Sequence, residues 1–320
     1  MFEKRVYASY NEKLDIRNKS SSGGIFYSLA EYVLKLDGIV YGVAFEENLE
    51  YLYFKRVDSI DGLKEIMGSK YIQARVGRSY IDVERDLKDG KYVLFSGTPC
   101  QVNALCSYLN KDYERLICVD IVCHGVPSEM IWEKYFNYIK MLHRINPVSI
   151  KFRDKRYGWK NYGISIEDGK KKIFIPFVKD TYMHFFLNNL SIRPSCFNCT
   201  AREKRKADIT LADFWGIEDI DISMKCSSGV SLVIIRTQKG NNIFKSLNDL
   251  INKEELYIDA VKYNPSEYKS VCMPSNRSDF YREAIQMNYN ELVDKYYKRN
   301  ISVEIKTLIK QIIYRWGIRK

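Results

Sequence analysis

Apolar residues fall at helical spacing in Ile25, Leu29, Tyr32 and Val33, one stripe of a period of about 3.6 residues. They predict a helix over residues 25–34, entered from Ser20-Ser21-Ser22-Gly23-Gly24, whose serines suit a cap, and closed by Asp37-Gly38. The continuous apolar run Ile39-Val40-Tyr41-Gly42-Val43-Ala44-Phe45 predicts a buried strand, and residues 51–57 predict another. Two matching units follow. Lys91-Tyr92-Val93-Leu94-Phe95 predicts a strand that turns at Ser96-Gly97-Thr98 into a helix with Pro99 in its first turn, reaching Leu109. Leu116-Ile117-Cys118-Val119-Asp120-Ile121-Val122 predicts a second strand, which turns through His124-Gly125-Val126-Pro127 into a helix capped by Ser128 and running to Leu142. Consecutive strand–turn–helix units set neighbouring strands parallel. Cys100 and Cys123 then lie at the carboxyl edge of one sheet, where open α/β sheets bind ligands.

After Pro147 the pattern changes. Strands are expected over residues 148–152 and 162–166, with Asp168-Gly169 as a hairpin turn before Ile173-Phe174-Ile175. Residues 181–190 read as helix, 207–212 and 230–237 as strands, and Lys239-Gly240 opens a helix to about Ile251. At the end, Ile305, Leu308, Ile309, Ile312, Ile313 and Trp316 share one helical face, with lysines and arginines elsewhere. Three readings of that face stand: docked on the protein's own core, laid on a membrane surface, or bound to a partner. The fold class expected is α/β of mixed α+β character. It has a parallel-containing sheet of strand–turn–helix units, cofactors at its carboxyl edge and a C-terminal amphipathic helix.

Composition narrows the classes. Hydrophobic residues at 46% and charged residues at 28% of 320 are ordinary for a globular chain. The charged start Met1-Phe2-Glu3-Lys4-Arg5 leads into no apolar segment, and no stretch approaches the roughly 20 apolar residues that span a bilayer. A cytoplasmic protein is therefore expected, its eight cysteines reduced or ligating rather than paired. The net charge is +11, but from Glu291 onward eight basic residues face three acidic ones. The remainder is only mildly basic, which argues against nucleic acid and suits an anionic small molecule.

Four cysteines carry most of the chemistry. Cys100 sits in Gly97-Thr98-Pro99-Cys100-Gln101 and Cys123 in Cys123-His124-Gly125-Val126-Pro127-Ser128; Cys196-Phe197-Asn198-Cys199 is a C-x-x-C pair. Four convergent thiolates are what an iron–sulfur cluster or a zinc site requires, and residue identity does not choose between them. Cys106 and Cys118 sit in regular apolar elements and read as core. Cys226 is a reserve ligand, and Cys272 has no metal-type spacing.

At these motifs the chain resembles the coenzyme F420 hydrogenase/dehydrogenase beta-subunit family. The matching stretches are Ser21-Ser22-Gly23-Gly24, Gly68-Ser69-Lys70-Tyr71-Ile72-Gln73, the two single-cysteine motifs, Phe152-Arg153-Asp154-Lys155 with Gly158-Trp159, the C-x-x-C pair, residues 207–216 and Gly229-Val230-Ser231, in the family's order. The resemblance implies an oxidoreductase carrying FAD and a [4Fe-4S] cluster, with a reduced hydride donor such as F420 and a ferredoxin or other redox partner. Some members resembling this chain occur with polysaccharide-biosynthesis genes. The C-x2-C-x2-C ferredoxin-like module of many members has no counterpart, since no cysteine precedes Cys100. Residues 1–85 are then expected to bind flavin, residues 86–275 to carry the cluster and substrate, and residues 276–320 to form a basic helical tail. The competing class is a non-catalytic zinc-binding module, recruited by that tail to a membrane-bound glycan assembly.

On the resemblance, Cys100, Cys123, Cys196 and Cys199 are assigned as ligands of one cluster. Ser21, Ser22, Gly23 and Gly24 are candidates for the FAD pyrophosphate, because free N–H groups at a helix start attract phosphate; an ordinary N-cap is the plainer reading. Ser69 and Lys70 could meet a phosphate or the flavin, with Lys70 also a catalytic candidate. Thr98 and Gln101 could bond the flavin edge or the cluster sulfurs, or only stabilise their turn. His124 could donate a proton, given its near-neutral pKa, or be a hydrogen-bonded turn residue. Arg153, Lys155 and Trp159 suit an anionic, planar substrate, or form a solvated hairpin rim. Arg202, Lys204, Arg205 and Lys206 read as a solvated charged loop.

Overall fold

Residues 2–315 are described, in a computed structural model. Their strands are β1 (Arg5–Asn11), β2 (Ile39–Phe45), β3 (Leu52–Val57), β4 (Ala74–Arg75), β5 (Val93–Gly97), β6 (Leu116–Ile121), β7 (Ser149–Asp154), β8 (Gly163–Glu167), β9 (Lys172–Pro176), β10 (Ile209–Asp213), β11 (Ser231–Ile235) and β12 (Leu250–Glu255). Nine of them form one mixed sheet in the order β12-β1-β11-β10-β6-β5-β2-β3-β4, and β7-β8-β9 form a separate antiparallel sheet. The strands β2, β5, β6 and β10 run parallel. The expected α/β class with a parallel-containing sheet is the one observed.

Alternation along these strands explains why they read as continuous apolar runs. Val93 and Phe95 of β5, with Leu116 and Cys118 of β6, enter the core on one face of the sheet. Leu94, Ile117 and Val119 enter the core on the other. A strand buried on both faces has no polar side to show. The first face packs under the Glu129–His143 helix, whose Ile131, Trp132, Tyr135, Phe136 and Ile139 are buried. The second packs under the Ile25–Lys35 helix through Ile25, Leu29, Ala30 and Val33. The sheet takes strands from both sides of residue 85, since β2 pairs with β5 and β1 with β11.

Both strand–turn–helix units form, with helices at Pro99–Leu109 and Glu129–His143. The caps differ from expectation. The Ile25–Lys35 helix starts at Gly24, in the left-handed region at φ 91, with no serine side-chain cap; Ser22 Oγ turns to Val230 O and Ser21 Oγ to Ser69 N–H instead. Ser128 likewise makes no side-chain cap.

Strands β1 and β12 lie outside the sequence expectations. Strand β1 lies between two antiparallel partners. Strand β12 begins where the helix opened by Lys239-Gly240 was expected to continue; that helix is confined to Gln238–Lys245. Four of the six β12 residues are exposed, so its apolar signal is weak.

The last helix, Ile301–Arg315, forms in the expected place but not the expected orientation. Glu304, Thr307 and Gln311 are its buried residues, while Ile305, Leu308, Ile309, Ile312 and Ile313 are exposed. The core-docked reading of its apolar face is thereby overturned. Trp316 lies outside the described residues. No helix among the described residues is long and apolar enough to cross a membrane.

Candidate functional site

Parallel pairing of β5, β6 and β10 brings three chain crossings to one edge. Cys100 follows β5, Cys123 follows β6, and Phe214-Trp215 follow β10. Strand β11 runs the opposite way, so its preceding loop, residues 226–230, reaches the same edge. Strand β1 ends there too, and its Asn11 N–H donates to Gly23 O at 2.8 Å.

The C-x-x-C pair is carried in from farther along the chain by three ties. Residues 126–128 meet 191–193 through a Pro127–Ile192 bridge, with Arg193 N–H on Val126 O at 3.0 Å and Ser128 N–H on Ser191 O at 2.9 Å. Asn103, one turn on from Cys100, donates to Lys204 O at 2.9 Å and accepts from Lys206 N–H at 2.9 Å. Buried Arg202 donates to His124 O at 2.9 Å, Ser266 O at 2.7 Å and Lys269 O at 3.1 Å, while Cys199 N–H donates to Ser270 Oγ at 3.0 Å. Every segment bearing one of the four thiols is therefore fastened to another.

The electrostatics report the same convergence. Burial pushes the Cys123 thiol up to about 12, the neighbouring sulfurs of Cys100, Cys196 and Cys199 push the same way, and the Arg202 guanidinium opposes them. Burial also raises Cys196; the Val126 N–H opposes this, while Cys100 and Cys199 add to it. All four cysteines are free thiols, Cys100 exposed and the others half-buried. Among the described residues no three His, Cys, Asp or Glu side chains are drawn together tightly enough to hold a single ion. A four-iron cluster is larger than an ion, so its ligands stand further apart. The donor set, four thiols and a nearby guanidinium, fits such a cluster.

The charged loop read as solvated is split: Lys204 and Lys206 are exposed as expected, while Arg202 and the Arg205 side chain are buried. Arg205, with its side chain 2% exposed, pairs with Asp120 Oδ2 at 2.7 Å and Glu267 Oε2 at 3.1 Å. Arg236 also pairs with Glu267. Arg202 and Arg205 thus belong to the frame of the site, together with Asn103. The only sequence signal was their place just after the C-x-x-C pair, and their carboxylate and carbonyl partners lie far away in the chain.

Other candidates fall into three groups. The first gathers at the Gly68 turn. Ser69 N–H donates to Ser21 Oγ at 2.6 Å, so the two expected phosphate loops meet. Burial brings the Lys70 ammonium down to about 7, and it donates to Met67 O at 3.0 Å and Gly68 O at 3.4 Å. Gly68, at φ +81, has nothing within 4 Å of where a Cβ would sit.

The second group is engaged in local structure. Ser22 Oγ donates to Val230 O at 2.7 Å, and Gly23 N–H donates to Ser231 Oγ at 3.0 Å. Gln101 Oε1 accepts from Thr98 N–H at 2.9 Å, closing the turn, while the Thr98 hydroxyl sits 3.1 Å from Cys100 Sγ. His124 Nε2 lies 2.7 Å from Asn189 Oδ1, a side-chain partner rather than the backbone. Burial lowers its pKa, partly offset by that bond.

The third group is Arg153, Lys155 and Trp159, most of whose polar atoms are taken up internally, Arg153 Nε being buried without a partner. Arg153 makes a two-pronged pair with Asp213 at 3.0 and 3.1 Å and stacks 3.9 Å over the Tyr162 ring. Trp159 Nε1–H donates to Asp213 Oδ1 at 2.7 Å, and its ring stacks on Trp215 at 4.8 Å. Lys155 donates to Arg17 O and Ser228 O, each at 2.6 Å, and to Ser22 O at 3.2 Å. These three fix Asp213, Trp215 and the edge loops. Between the fastened loops lies a cleft of about 410 Å³, lined by Gln73, Pro127, Ser128, Arg193, Pro194 and Arg277 among others.

Residues 90–260 match the family described as coenzyme F420 hydrogenase/dehydrogenase, C terminus of the beta chain. The chain belongs to that family. Membership indicates redox function of the F420 hydrogenase/dehydrogenase type. A solved structure, the xenon-derivatised F420-reducing [NiFe] hydrogenase complex from Methanosarcina barkeri, contains a chain of similar fold. The TM-score is 0.56 at 15% identity, covering 87% of this chain and 91% of that one. Among curated proteins none matches the chain.

Proposed function

We propose that this protein is an iron–sulfur flavoprotein oxidoreductase, with Cys100, Cys123, Cys196 and Cys199 holding a [4Fe-4S] cluster and an FAD held near the same sheet edge. The observation that carries this reading is that the segments bearing the four thiols are fastened together by Asn103, Arg202 and the Pro127–Ile192 bridge, with Cys100, Cys196 and Cys199 close enough to act on Cys123. When bound, the flavin supplies hydride transfer and the cluster single-electron transfer.

The chain's own groups do the positioning. Ser21, Ser69 and Lys70 meet beside the open space at Gly68 and are the residues to hold the flavin phosphates. Near neutral pH the Lys70 amine exchanges its proton readily, which suits a proton carrier or an electrostatic partner that responds to a bound anion. Thr98 contacts the Cys100 sulfur and orients it. Arg153, Lys155 and Trp159 act from behind, setting Asp213 and Trp215. The cleft lined by Arg193, Glu129 and Arg277 is the proposed place for the hydride donor; Arg277 is held on Ile192 O and Arg193 on Gln73, so the donor class, a deazaflavin being one, rests on the structural neighbour's F420-reducing complex. A ferredoxin or similar carrier completes the route, and a reducing cytoplasm is the proposed setting because it keeps the thiols available.

The test is anaerobic purification with iron, zinc and flavin analysis, repeated for Cys199→Ser. The parent should carry iron and flavin, and the variant should lose most of its iron and its broad visible absorption. A colourless parent holding one zinc would replace this reading with a zinc module. A variant with undiminished iron would remove Cys199 from the ligand set.

A further inference from the structure

The Ile301–Arg315 helix is mounted in reverse. An amphipathic helix on a globular protein ordinarily buries its apolar stripe and shows its polar face to water. Here the docked side is polar: Glu304 pairs with Arg299 at 2.9 Å and Lys179 at 3.6 Å, and Thr307 and Gln311 are buried beside it. Ile301, Ile305, Leu308, Ile309, Ile312 and Ile313, each 41–60% exposed, cover roughly 140° of the circumference at about 3.6 residues per turn. A contiguous apolar stripe of this kind marks an interaction surface.

The charges around the stripe select the partner. Lys306 and Lys310 are exposed and border one side, and Arg315 borders the other. The helix packs on the Trp159–Asn161 turn, where Lys310 and Lys225 act on the Lys160 ammonium, itself paired with Glu218 and near Asp219. The turn is thus of mixed charge, and the basic rim of the stripe is Lys306, Lys310 and Arg315. A second copy laid on the same face would set lysine against lysine. A protein interface of ordinary kind is depleted of lysine at its core. An apolar stripe rimmed by lysines matches a bilayer surface with acidic headgroups, into which the isoleucines sink while the ammonium groups meet phosphate.

We infer that the Ile301–Arg315 helix lays its outward isoleucine–leucine stripe into an anionic phospholipid surface, with Lys306 and Lys310 on the headgroups, making the protein a peripheral membrane protein. This is independent of the redox chemistry. The anchor places the sheet edge that bears Trp159 near the bilayer, because the helix packs directly on that turn.

The full chain is sedimented with vesicles of phosphatidylcholine, with and without about one-third phosphatidylglycerol. The expected result is binding to the anionic vesicles at least tenfold tighter than to the neutral ones, weakened by salt. Ile309→Glu with Ile312→Glu, both at exposed positions, should abolish binding while leaving circular dichroism and iron content unchanged. Lys306→Gln with Lys310→Gln should weaken it by about 25-fold, at about fivefold per lysine. No binding to anionic vesicles, equal binding to both kinds, or binding untouched by the isoleucine variant would each overturn the inference. So would a dimer in light scattering that the isoleucine variant converts to a monomer, which would give the stripe to a second copy.

Discussion

Arg205→Met tests whether the loop behind the C-x-x-C pair is held by buried charge. In the native chain the Arg205 guanidinium lies between Asp120 and Glu267, whose side chains are 0% and 2% exposed. Methionine keeps the length and the apolar stem but leaves Asp120 with the Thr210 hydroxyl and the more distant charge of Arg236, and Glu267 with Arg236 and Tyr257. Removing one partner from a buried ion pair costs about 3–5 kcal/mol. At the denaturant sensitivity of a chain this size, that moves the urea midpoint by ~1 M, read by circular dichroism under anaerobic conditions. Burial already raises the Asp120 pKa against the pull of Arg205. Without Arg205 it rises further, so the deficit should shrink as pH falls from 7 to 5 and the carboxyl takes up its proton. Adding Asp120→Asn removes the stranded charge and should recover about 1–3 kcal/mol of the loss. Arg205→Met should also lower iron retention, since Cys199 and Arg205 share the loop. A loss under about 1 kcal/mol, or a double variant no better than the single, would refute the account.

Two further predictions rest on single contacts. Gly23→Ala puts a methyl into the Ser9 carbonyl oxygen and 2.9 Å from Ser231 N, both backbone, and should cost about 1–3 kcal/mol by thermal or urea unfolding; a neutral result would mean the turn is not wedged between β1 and β11. Asp180 takes hydrogen bonds from Tyr135 Oη at 2.6 Å and Met183 N–H at 2.8 Å, and burial raises its pKa from 3.8 to about 6. A raised carboxyl favours folding below its unfolded pKa and loses that contribution as pH climbs through the folded one. Asp180→Asn should therefore gain on the parent by about 1 kcal/mol between pH 5 and 7, and a flat difference across that range would show that Asp180 titrates normally.

Much of the site was legible because its parts are local. The thiols, the glycine turns and the strand–helix order follow from short stretches. The strands over residues 93–97 and 116–121 announce themselves since both their faces are apolar. Arg202 and Arg205 were not legible: a run of basic residues reads as surface, and only Asp120, Glu267 and the carbonyls of residues 124, 266 and 269 make burial affordable. The internal bonds of Arg153 and Trp159 were hidden for the same reason, because Asp213, which accepts from both, stands about sixty residues away in the chain.

Periodicity along the chain settled that residues 301–315 form a helix with an apolar stripe, because side-chain spacing at 3.6 residues per turn is a local property. Which side of that helix docks was decided by Glu304 finding Lys179 and by neighbouring surfaces that no window of sequence contains. The four thiols show the same division. Their identity and spacing are written in the chain, but their convergence comes from parallel strand pairing and from Asn103 and Arg202 fastening loops about eighty to a hundred residues apart. Long-range ties of this kind form only once the backbone has brought their donors and acceptors within reach.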